Sequence, residues 1–263
     1  MGTYVVTGGT VGMGGALSDL LRDDGHTVIT VARSGADIEA DLGTPVGRAK
    51  VIDAVCARTA SLDGVVTCAA LNASSDVSSA DLVSVNHFGT VEILAGLRPL
   101  LEQAEAPAAI AVGSVAASVR ASLPEVAEAC LAGDEAMARA VALRHADENT
   151  LVYSASKLAM AWWVRREAVT ASWAGTGITL NLIVPGWVRT RSTAAVLDDP
   201  AGAERARRAT PLGQPASPAA FARIARFLLG PDARYFCGAN LYWDGGYDAA
   251  QRPEGYPTPK PNS

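Results

Sequence analysis

Tyr153 and Lys157 lie four positions apart, a spacing that brings both side chains to the same face of a helix. A phenol has an ordinary pKa of about 10, and a nearby ammonium group favours its ionised form. The pair therefore predicts a proton donor whose pKa Lys157 moves toward working pH. Ser114 precedes the pair and offers a hydroxyl that can hold a carbonyl or alkoxide oxygen. Together the three residues predict proton transfer at a carbonyl or alcohol oxygen.

A glycine-rich loop stands near the start of the chain, in the run Thr7-Gly8-Gly9-Thr10-Val11-Gly12-Met13-Gly14. It follows an apolar, strand-like run that begins at Tyr4 and precedes an amphipathic helical pattern. Such a unit presents backbone N–H groups and a helix N-terminus to a pyrophosphate, and a side chain at Gly8, Gly12 or Gly14 would block its approach. Glycines also serve ordinary strand-to-helix turns, so the loop alone leaves that interpretation open.

Strand-like and helix-like patterns alternate along the rest of the chain, which is typical of a parallel sheet with helices on both faces. Strands are predicted at 4–7, 27–32, 63–68, 108–114 and 178–184. A late helix is predicted between Ser217, as its N-cap, and the stop signal Gly230-Pro231, with Pro218 in its first turn. We expect a single α/β domain over residues 1–250, a doubly wound parallel sheet of the Rossmann type.

Composition excludes several classes of protein. The 263 residues carry a net charge of -5 and no dense Lys/Arg run, which argues against a nucleic-acid partner and favours a small-molecule substrate. No apolar run approaches the roughly 18 residues that a membrane-spanning helix needs.

The cysteines and histidines lack the spacing of a metal site or a disulfide framework. Reduced thiols at Cys56, Cys68, Cys130 and Cys237 are the simpler interpretation, and they favour a cytoplasmic protein. No metal ligands are predicted.

The ordered set of motifs resembles the short-chain dehydrogenase/reductase family over nearly the whole chain. The Tyr153/Lys157 pair, Ser114 and the glycine loop carry the resemblance. Further matching segments are Asp41-Leu42, Val85-Asn86, Pro185-Gly-Trp-Val-Arg-Thr190 and Asp244-Gly-Gly246.

The resemblance implies a division of roles among four residues. Tyr153 would be the general acid in carbonyl reduction, and Ser114 would hydrogen-bond the carbonyl oxygen. Lys157 would bind the ribose and acidify Tyr153, while Asn86 would hold a relay water. Each tyrosine or serine alone has an ordinary structural interpretation, and the set as a whole favours catalysis.

The resemblance also implies a dinucleotide site. Its predicted residues are Thr7, Gly8, Thr10, Gly12, Met13, Gly14, Ala32, Arg33, Ser34, Asp41, Leu42, Cys68, Ala69, Ala70, Tyr153, Lys157, Pro185, Gly186, Val188 and Thr190. The segment Thr67-Cys68-Ala69-Ala70 stands where the family usually has Asn-Asn-Ala-Gly, and its small side chains still leave room for the adenosine ribose.

The end of the second strand predicts the choice of cofactor. An acidic residue there would accept hydrogen bonds from a ribose 2′-hydroxyl and repel a 2′-phosphate. This chain has Ala32 at the acidic position, followed by Arg33, whose guanidinium suits a phosphate. We expect a preference for NADP(H); with Arg33 as a solvated loop residue, NAD(H) would be accepted through Ser34.

The connection between Ser114 and Tyr153 is longer than is usual in the family and predicts a helical insertion at 118–150. Ser122-Leu-Pro-Glu125 is typical of a capping box, and Gly133-Asp134 predicts the end of one helix and the start of another. The insertion could alter subunit packing, line the substrate cleft, or do both.

The polar, proline-rich composition of residues 251–263 predicts a flexible or partner-bound tail.

The expected reaction is the interconversion of a secondary alcohol and a ketone. Few charges lie in the stretches 114–125 and 187–197, which favours an apolar cyclic or steroid-like carbonyl. The alternatives are an NAD-dependent alcohol dehydrogenase, a biosynthetic tailoring ketoreductase, and a binding protein that senses dinucleotides without turnover. The resemblance implies a homodimer or homotetramer.

Overall fold

The seven strands of the described residues form one all-parallel sheet. The computed structural model describes residues 1–74 and 76–255. The strands are β1 (Thr3–Thr7), β2 (Thr27–Ala32), β3 (Ile38–Glu39), β4 (Gly64–Thr67), β5 (Ala108–Val112), β6 (Thr179–Pro185) and β7 (Asn240–Trp243). Their spatial order in the sheet is β3-β2-β1-β4-β5-β6-β7.

Helices follow the strands and cover both faces of the sheet. They are α1 (Gly12–Asp23), α2 (Pro45–Cys56), α3 (Ser79–Val83), α4 (Gly89–Leu101), α5 (Ala116–Val119), α6 (Pro124–Leu131), α7 (Glu135–Leu143), α8 (Asn149–Glu167), α9 (Arg191–Leu197), α10 (Pro200–Ala209), α11 (Pro218–Leu229) and α12 (Tyr247–Gln251). A π-helical turn, Ser84–Phe88, leads into α4.

Two apolar clusters hold the helices to the sheet, one on each face. Val51, Leu94 and Met160, from α2, α4 and α8, are fully buried on one face. Leu17 of α1 and Phe221 of α11 are fully buried on the other. This arrangement confirms the predicted doubly wound parallel sheet.

The structure confirms the predicted start of α11 but contains two strands that the sequence did not predict. Ser217 caps α11 by accepting a hydrogen bond from the Ala220 N–H at 3.2 Å, as its position before Pro218 predicts. Strands β3 and β7 were not predicted. The first is two residues long, and the half-exposed residues of β7 at the edge of the sheet lack the apolar run of a central strand.

A third apolar cluster joins α6 and α7 to the main domain, and the helical insertion predicted between Ser114 and Tyr153 is thereby confirmed. Val126 and Cys130 of α6 and Ala138 of α7 are buried together with Leu82 of α3 and Val152 of α8. The insertion therefore packs directly on the helix that carries Tyr153 and Lys157.

The predicted capping box at Ser122 is wrong. Leu123 is the N-cap of α6, no side chain caps the helix, and the Ser122 hydroxyl is buried without a partner among the described residues. The Glu125 carboxylate instead contacts Nε2 of His145, at 2.9 Å, beyond the end of α7. Asp134 does cap α7, because its side chain accepts a hydrogen bond from the Met137 N–H at 2.9 Å.

Arg48 of α2 holds the start of α7, the second helix of the insertion, to the main domain. This buried guanidinium donates from Nε to Glu92 of α4 at 2.6 Å and from Nη1 to the Leu42 carbonyl at 3.0 Å, and its Nη2 binds Glu135, the first residue of α7. One cation thus links α2, α4, α7 and the loop after β3. The predicted tail, 251–263, lies mostly outside the described residues.

Candidate active site

A cleft of about 1600 Å³ opens at the carboxyl ends of the strands. Its wall includes the loop after β1, the ends of β2 and β5, and the start of α9. In an open parallel sheet this is the side on which ligands bind, at the point where the strand order reverses next to β1.

Ser114, Tyr153 and Lys157 meet in the wall of this cleft. Ser114 follows the end of β5, and its side chain is hydrogen-bonded to that of the half-buried Tyr153. Lys157 lies one turn further along α8, is 2% exposed, and donates from Nζ to the Val112 carbonyl at 3.0 Å. The sequence spacing therefore does bring a phenol, a hydroxyl and an ammonium group together beside one open space.

Asn86 stands behind the cleft and not in its wall. Its fully buried side chain accepts from the Leu71 N–H at 2.8 Å and donates to the Leu71 carbonyl at 3.0 Å. The amide group is thus occupied in holding the segment after β4 against the π-helical turn Ser84–Phe88. The relay role of Asn86 stays a prediction.

The loop after β1 forms a cradle of backbone that has no room for a side chain at Gly8 or Gly14. A Cβ atom on Gly14 would lie 2.4 Å from the Gly8 carbonyl oxygen, and one on Gly8, where φ is +64°, would lie 2.9 Å from the Ala69 nitrogen. The N-cap residue of α1, Val11, supplies no side-chain hydrogen bond to the first turn. The N–H groups at the start of α1 are therefore left for an anion, which fits a dinucleotide pyrophosphate.

The far end of the cleft carries Ala32, Arg33 and Ser34. Arg33 is exposed, and within residues 1–74 and 76–255 it makes no hydrogen bond or ion pair. The nearby Glu39 carboxylate accepts from the Gly35 N–H at 2.7 Å, so it braces the same loop. Asp41 closes a turn by accepting from the Gly43 N–H at 2.9 Å.

All but one of the predicted dinucleotide residues line this cleft. The exception is Thr7, which is buried and accepts a hydrogen bond from the Ala69 N–H through its Oγ1 at 3.2 Å. Thr7 thus holds β1 to the segment after β4 and does not face the cleft.

Sequence reasoning missed part of the wall. Residues that line the cleft without having been predicted include Asn72, Glu135, Ala136 and Arg139. Three of them belong to α7, whose first turn reaches the cleft through the Arg48 anchor. The insertion thus lines the cleft, which the sequence left open as one alternative. The individual residues were not predicted, because their placement depends on contacts between residues far apart in the chain.

Burial has the largest effect on the titrating groups. It raises the pKa of Tyr153, while the hydrogen bond with Ser114 and the charge of Arg120 lower it. This direction differs from the predicted shift, and the cation acting on Tyr153 is Arg120. Burial also lowers the pKa of Lys157 to about 8, with the neighbouring Cys68 opposing the shift, and raises the pKa of Cys68 to about 12. Tyr153 is therefore protonated at neutral pH.

Two kinds of feature are absent from the described residues. None of the helices found there has the length and apolar character required to cross a bilayer. Histidine, cysteine and carboxylate side chains in the same residues form no group of three able to hold a metal ion.

Comparison with known proteins shows what this chain is similar to. A family model described as "Enoyl-(Acyl carrier protein) reductase" matches residues 144–248. The 3-alpha-hydroxysteroid dehydrogenase/carbonyl reductase of Comamonas testosteroni is 37% identical, across 96% of this chain and 99% of its own length. The crystal structure of the 3-alpha-hydroxysteroid dehydrogenase from Pseudomonas sp. B-0831, complexed with NADH, has a TM-score of 0.88 and 41% identity, across 97% of this chain and all of the other.

A shorter match extends the range of similar enzymes. The cis-4-hydroxycyclohexanecarboxylate dehydrogenase of Sinomonas cyclohexanicum is 37% identical over 101 residues, which is 38% of this chain and 39% of that enzyme.

Proposed function

Because the chain belongs to the short-chain dehydrogenase/reductase family of NAD(P)(H)-dependent oxidoreductases, we propose that it interconverts a cyclic secondary alcohol and its ketone with NADP(H). The observation that carries the proposal is the meeting of Ser114, Tyr153 and Lys157 in one cleft with the glycine cradle. The reaction needs a proton donor beside a dinucleotide, and this arrangement supports both.

In this proposal the bound nicotinamide supplies or accepts the hydride at the carbonyl carbon. Tyr153 donates its phenolic proton to the carbonyl oxygen, for which the raised pKa of Tyr153 is suited because the phenol stays protonated at neutral pH. Ser114 donates a hydrogen bond to the same oxygen as negative charge develops there. Oxidation of the alcohol uses the same groups in reverse.

Lys157 supplies a positive charge that burial makes sensitive to pH. The ammonium form predominates below its pKa of about 8, and the neutral amine predominates above it. In the proposal the charged form of Lys157 donates hydrogen bonds to the cofactor ribose, so kcat/KM for ketone reduction is expected to be level below pH 8 and to fall about tenfold per pH unit above it. The measurement is a pH profile of initial rates.

The control for that profile is Lys157→Arg. A guanidinium does not lose its proton in this range, so any activity that this variant retains should lack the fall above pH 8. A wild-type profile that stays level well into the alkaline range would contradict the role given to Lys157.

The preference for NADP(H) rests on the end of β2. Ala32 offers no carboxylate to a ribose 2′-hydroxyl, and Arg33 carries an exposed guanidinium on the cleft wall. An NAD(H)-dependent enzyme is the second candidate, favoured by the NADH bound to the similar Pseudomonas protein. The Glu39 carboxylate accepts a hydrogen bond from the Gly35 N–H, in the loop that carries Ser34. A negative charge there would favour a ribose with a 2′-hydroxyl, as in NAD(H), over one with a 2′-phosphate.

Initial rates with NADPH and NADH on a panel of cyclic, steroidal and aromatic ketones test the function and the preference together. We expect turnover of a cyclic ketone, with kcat/KM for NADPH about 10-fold or more above that for NADH, the size of one charge-assisted contact. Faster turnover with NADH than with NADPH would show a preference for NAD(H) and would leave the proposed reaction unchanged. No turnover despite tight binding of either nucleotide would favour a dinucleotide sensor.

Arg33→Ser is the matched test of the phosphate contact. The variant is expected to lose most of the advantage of NADPH while its kcat/KM with NADH changes little, because the two nucleotides differ only in the 2′-phosphate. An unchanged ratio between the two nucleotides would show that Arg33 does not read the phosphate.

The substrate class is proposed from the similar enzymes. Those enzymes are named for hydroxysteroids and for a hydroxycyclohexane compound, which supports a cyclic ketone as the substrate of this protein. A biosynthetic tailoring ketoreductase would use the same residues on a different ring.

Assembly and location belong to the same proposal. A homodimer or homotetramer is proposed from the family resemblance alone. All four cysteines are unpaired, which supports a reducing, cytoplasmic setting.

A further inference from the structure

The second helix of the insertion, α7, forms part of the cleft wall beside the loop that follows β3. Glu135 and Arg139 of α7 line the cleft together with Leu42 of that loop. Helix α7 also packs against the π-helical turn Ser84–Phe88, where Arg139 donates from Nη1 to the Ser84 hydroxyl at 2.6 Å. The insertion thus borders the cleft through residues that are tied to the main domain.

The Glu135 carboxylate is held in place by the buried guanidinium of Arg48. Arg48 donates from Nη1 to Oε1 of Glu135 at 3.4 Å and from Nη2 to Oε2, and its Nη1 also donates to the Leu42 carbonyl at 3.0 Å. Glu135 keeps 16% of its side-chain surface exposed, and it lines the cleft. A carboxylate has more lone pairs than Arg48 uses, so Glu135 offers the cleft a fixed hydrogen-bond acceptor.

The course of a bound dinucleotide follows from the groups along the cleft. Ser114 and Tyr153 place the reacting end of the nucleotide beyond β5, and the glycine cradle after β1 places its pyrophosphate. Strands β2 and β3 lie on the other side of β1 from β5, so the adenosine half must extend toward them. There the cleft wall consists of residues 40–45, which follow β3, and the first turn of α7. We therefore expect the adenine base to be the part of the nucleotide that reaches Glu135.

The chemistry of adenine suits a carboxylate at this position. The exocyclic amine of the base carries two N–H donors, whereas an ionised carboxylate only accepts hydrogen bonds. The loop after β3 adds a second cleft-lining carboxylate, Asp41, whose Oδ1 accepts from the Gly43 N–H at 2.9 Å. Two carboxylates in one wall match an amine with two hydrogens better than they match a carbonyl oxygen.

We propose that Glu135 binds the adenine base of the dinucleotide by accepting a hydrogen bond from its exocyclic amine. The proposal rests on the proposed function, since it requires that the cleft bind an adenine dinucleotide. It gives the inserted helix α7 a part in cofactor binding in addition to its packing on the main domain. Because the Glu135 carboxylate is already fixed by Arg48, little side-chain freedom is lost when the base binds.

The test exchanges the amine of the base for a carbonyl oxygen. Dissociation constants are measured by fluorescence titration for NADPH and for reduced nicotinamide hypoxanthine dinucleotide phosphate, and again for NADH and its hypoxanthine counterpart. The wild type is expected to bind the adenine nucleotide about 10-fold or more tighter in the pair that it prefers, as for one charge-assisted hydrogen bond. Measuring both pairs makes the result independent of the preference for the 2′-phosphate.

Glu135→Gln replaces the acceptor with a donor. Arg48 carries only donors, so the amide oxygen of the variant should turn toward Arg48 and leave the NH₂ group for the cleft. The preference for adenine over hypoxanthine is then expected to fall about 10-fold or more. Glu92→Gln is the matched control, because Glu92 is the other carboxylate bound by Arg48 and is not part of the cleft wall. Its preference should equal that of the wild type.

The wild-type protein alone can already contradict the proposal. Equal dissociation constants for adenine and hypoxanthine nucleotides would overturn it, whether or not Glu135→Gln folds. A wild-type preference that persists in Glu135→Gln would show that another group, such as Asp41, recognises the amine, and would also overturn it. Both results leave dinucleotide binding and the proposed function intact. Failure of the wild type to bind any of the four nucleotides would instead reject the proposed function, and this proposal with it.

Discussion

Replacing Tyr153 with phenylalanine is expected to lower kcat for ketone reduction by about 10²- to 10⁴-fold, the usual contribution of a positioned general acid. The substitution removes the phenolic oxygen and keeps the ring, so the packing of α8 is preserved. The hydroxyl is lost as a hydrogen-bonding partner of Ser114 only, since no other partner is found for it in the described residues. Steady-state rates and a fluorescence titration with NADPH are the two measurements.

The titration should give a dissociation constant close to that of the wild type, so that the loss is in the chemical step. Tyr235→Phe is the matched control, because Tyr235 is fully exposed on the surface and its hydroxyl is far from any proposed role. A Tyr153→Phe variant that reduces ketones at the wild-type rate would exclude Tyr153 as the proton donor.

Replacing Arg48 with methionine is expected to lower the free energy of unfolding by about 3 to 5 kcal/mol, as when one member of a buried ion pair is removed. Arg48 is 1% exposed, and the side chain of its partner Glu135 is 16% exposed. The variant would leave that carboxylate, the more exposed Glu92 carboxylate and the Leu42 carbonyl without their cationic donor. Urea-induced unfolding at a fixed protein concentration measures the change.

Arg226→Met provides the comparison. Arg226 pairs with Asp24 at 3.0 Å, but both side chains are substantially exposed, so the loss should be below about 1 kcal/mol. The double variant Arg48→Met/Glu135→Gln should recover part of the stability, because it removes the stranded charge as well. Equal losses in Arg48→Met and Arg226→Met would show that the buried network contributes no more than a surface pair.

Sequence patterns were sufficient where the signal is local. The spacing of Tyr153 and Lys157 along one helix fixes their common face, and an apolar strand followed by glycines and a helical pattern fixes the cradle around Gly12. The same holds for α11, whose N-cap and first proline are adjacent in the chain.

Patterns failed where the outcome depends on distant partners. Ser122 has the residue type of an N-cap, but Glu125, which should complete the capping box, contacts His145 beyond the end of α7. The shift in the pKa of Tyr153 depends on how deeply α8 is buried, which its spacing to Lys157 does not reveal. Arg48 looks like an ordinary charged residue in the sequence, because only the folded structure shows that it is buried.

The packing of α6 and α7 restricts how this chain can be shortened. Their apolar residues cover Leu82 of α3 and Val152 and Ala159 of α8. A deletion in the connection between Ser114 and Tyr153 would expose these apolar side chains to solvent, along α8, the helix that carries the proposed proton donor. A shorter descendant would have to acquire polar substitutions or a covering neighbour in the same step, so we expect this stretch to be inherited or lost together with the residues beneath it.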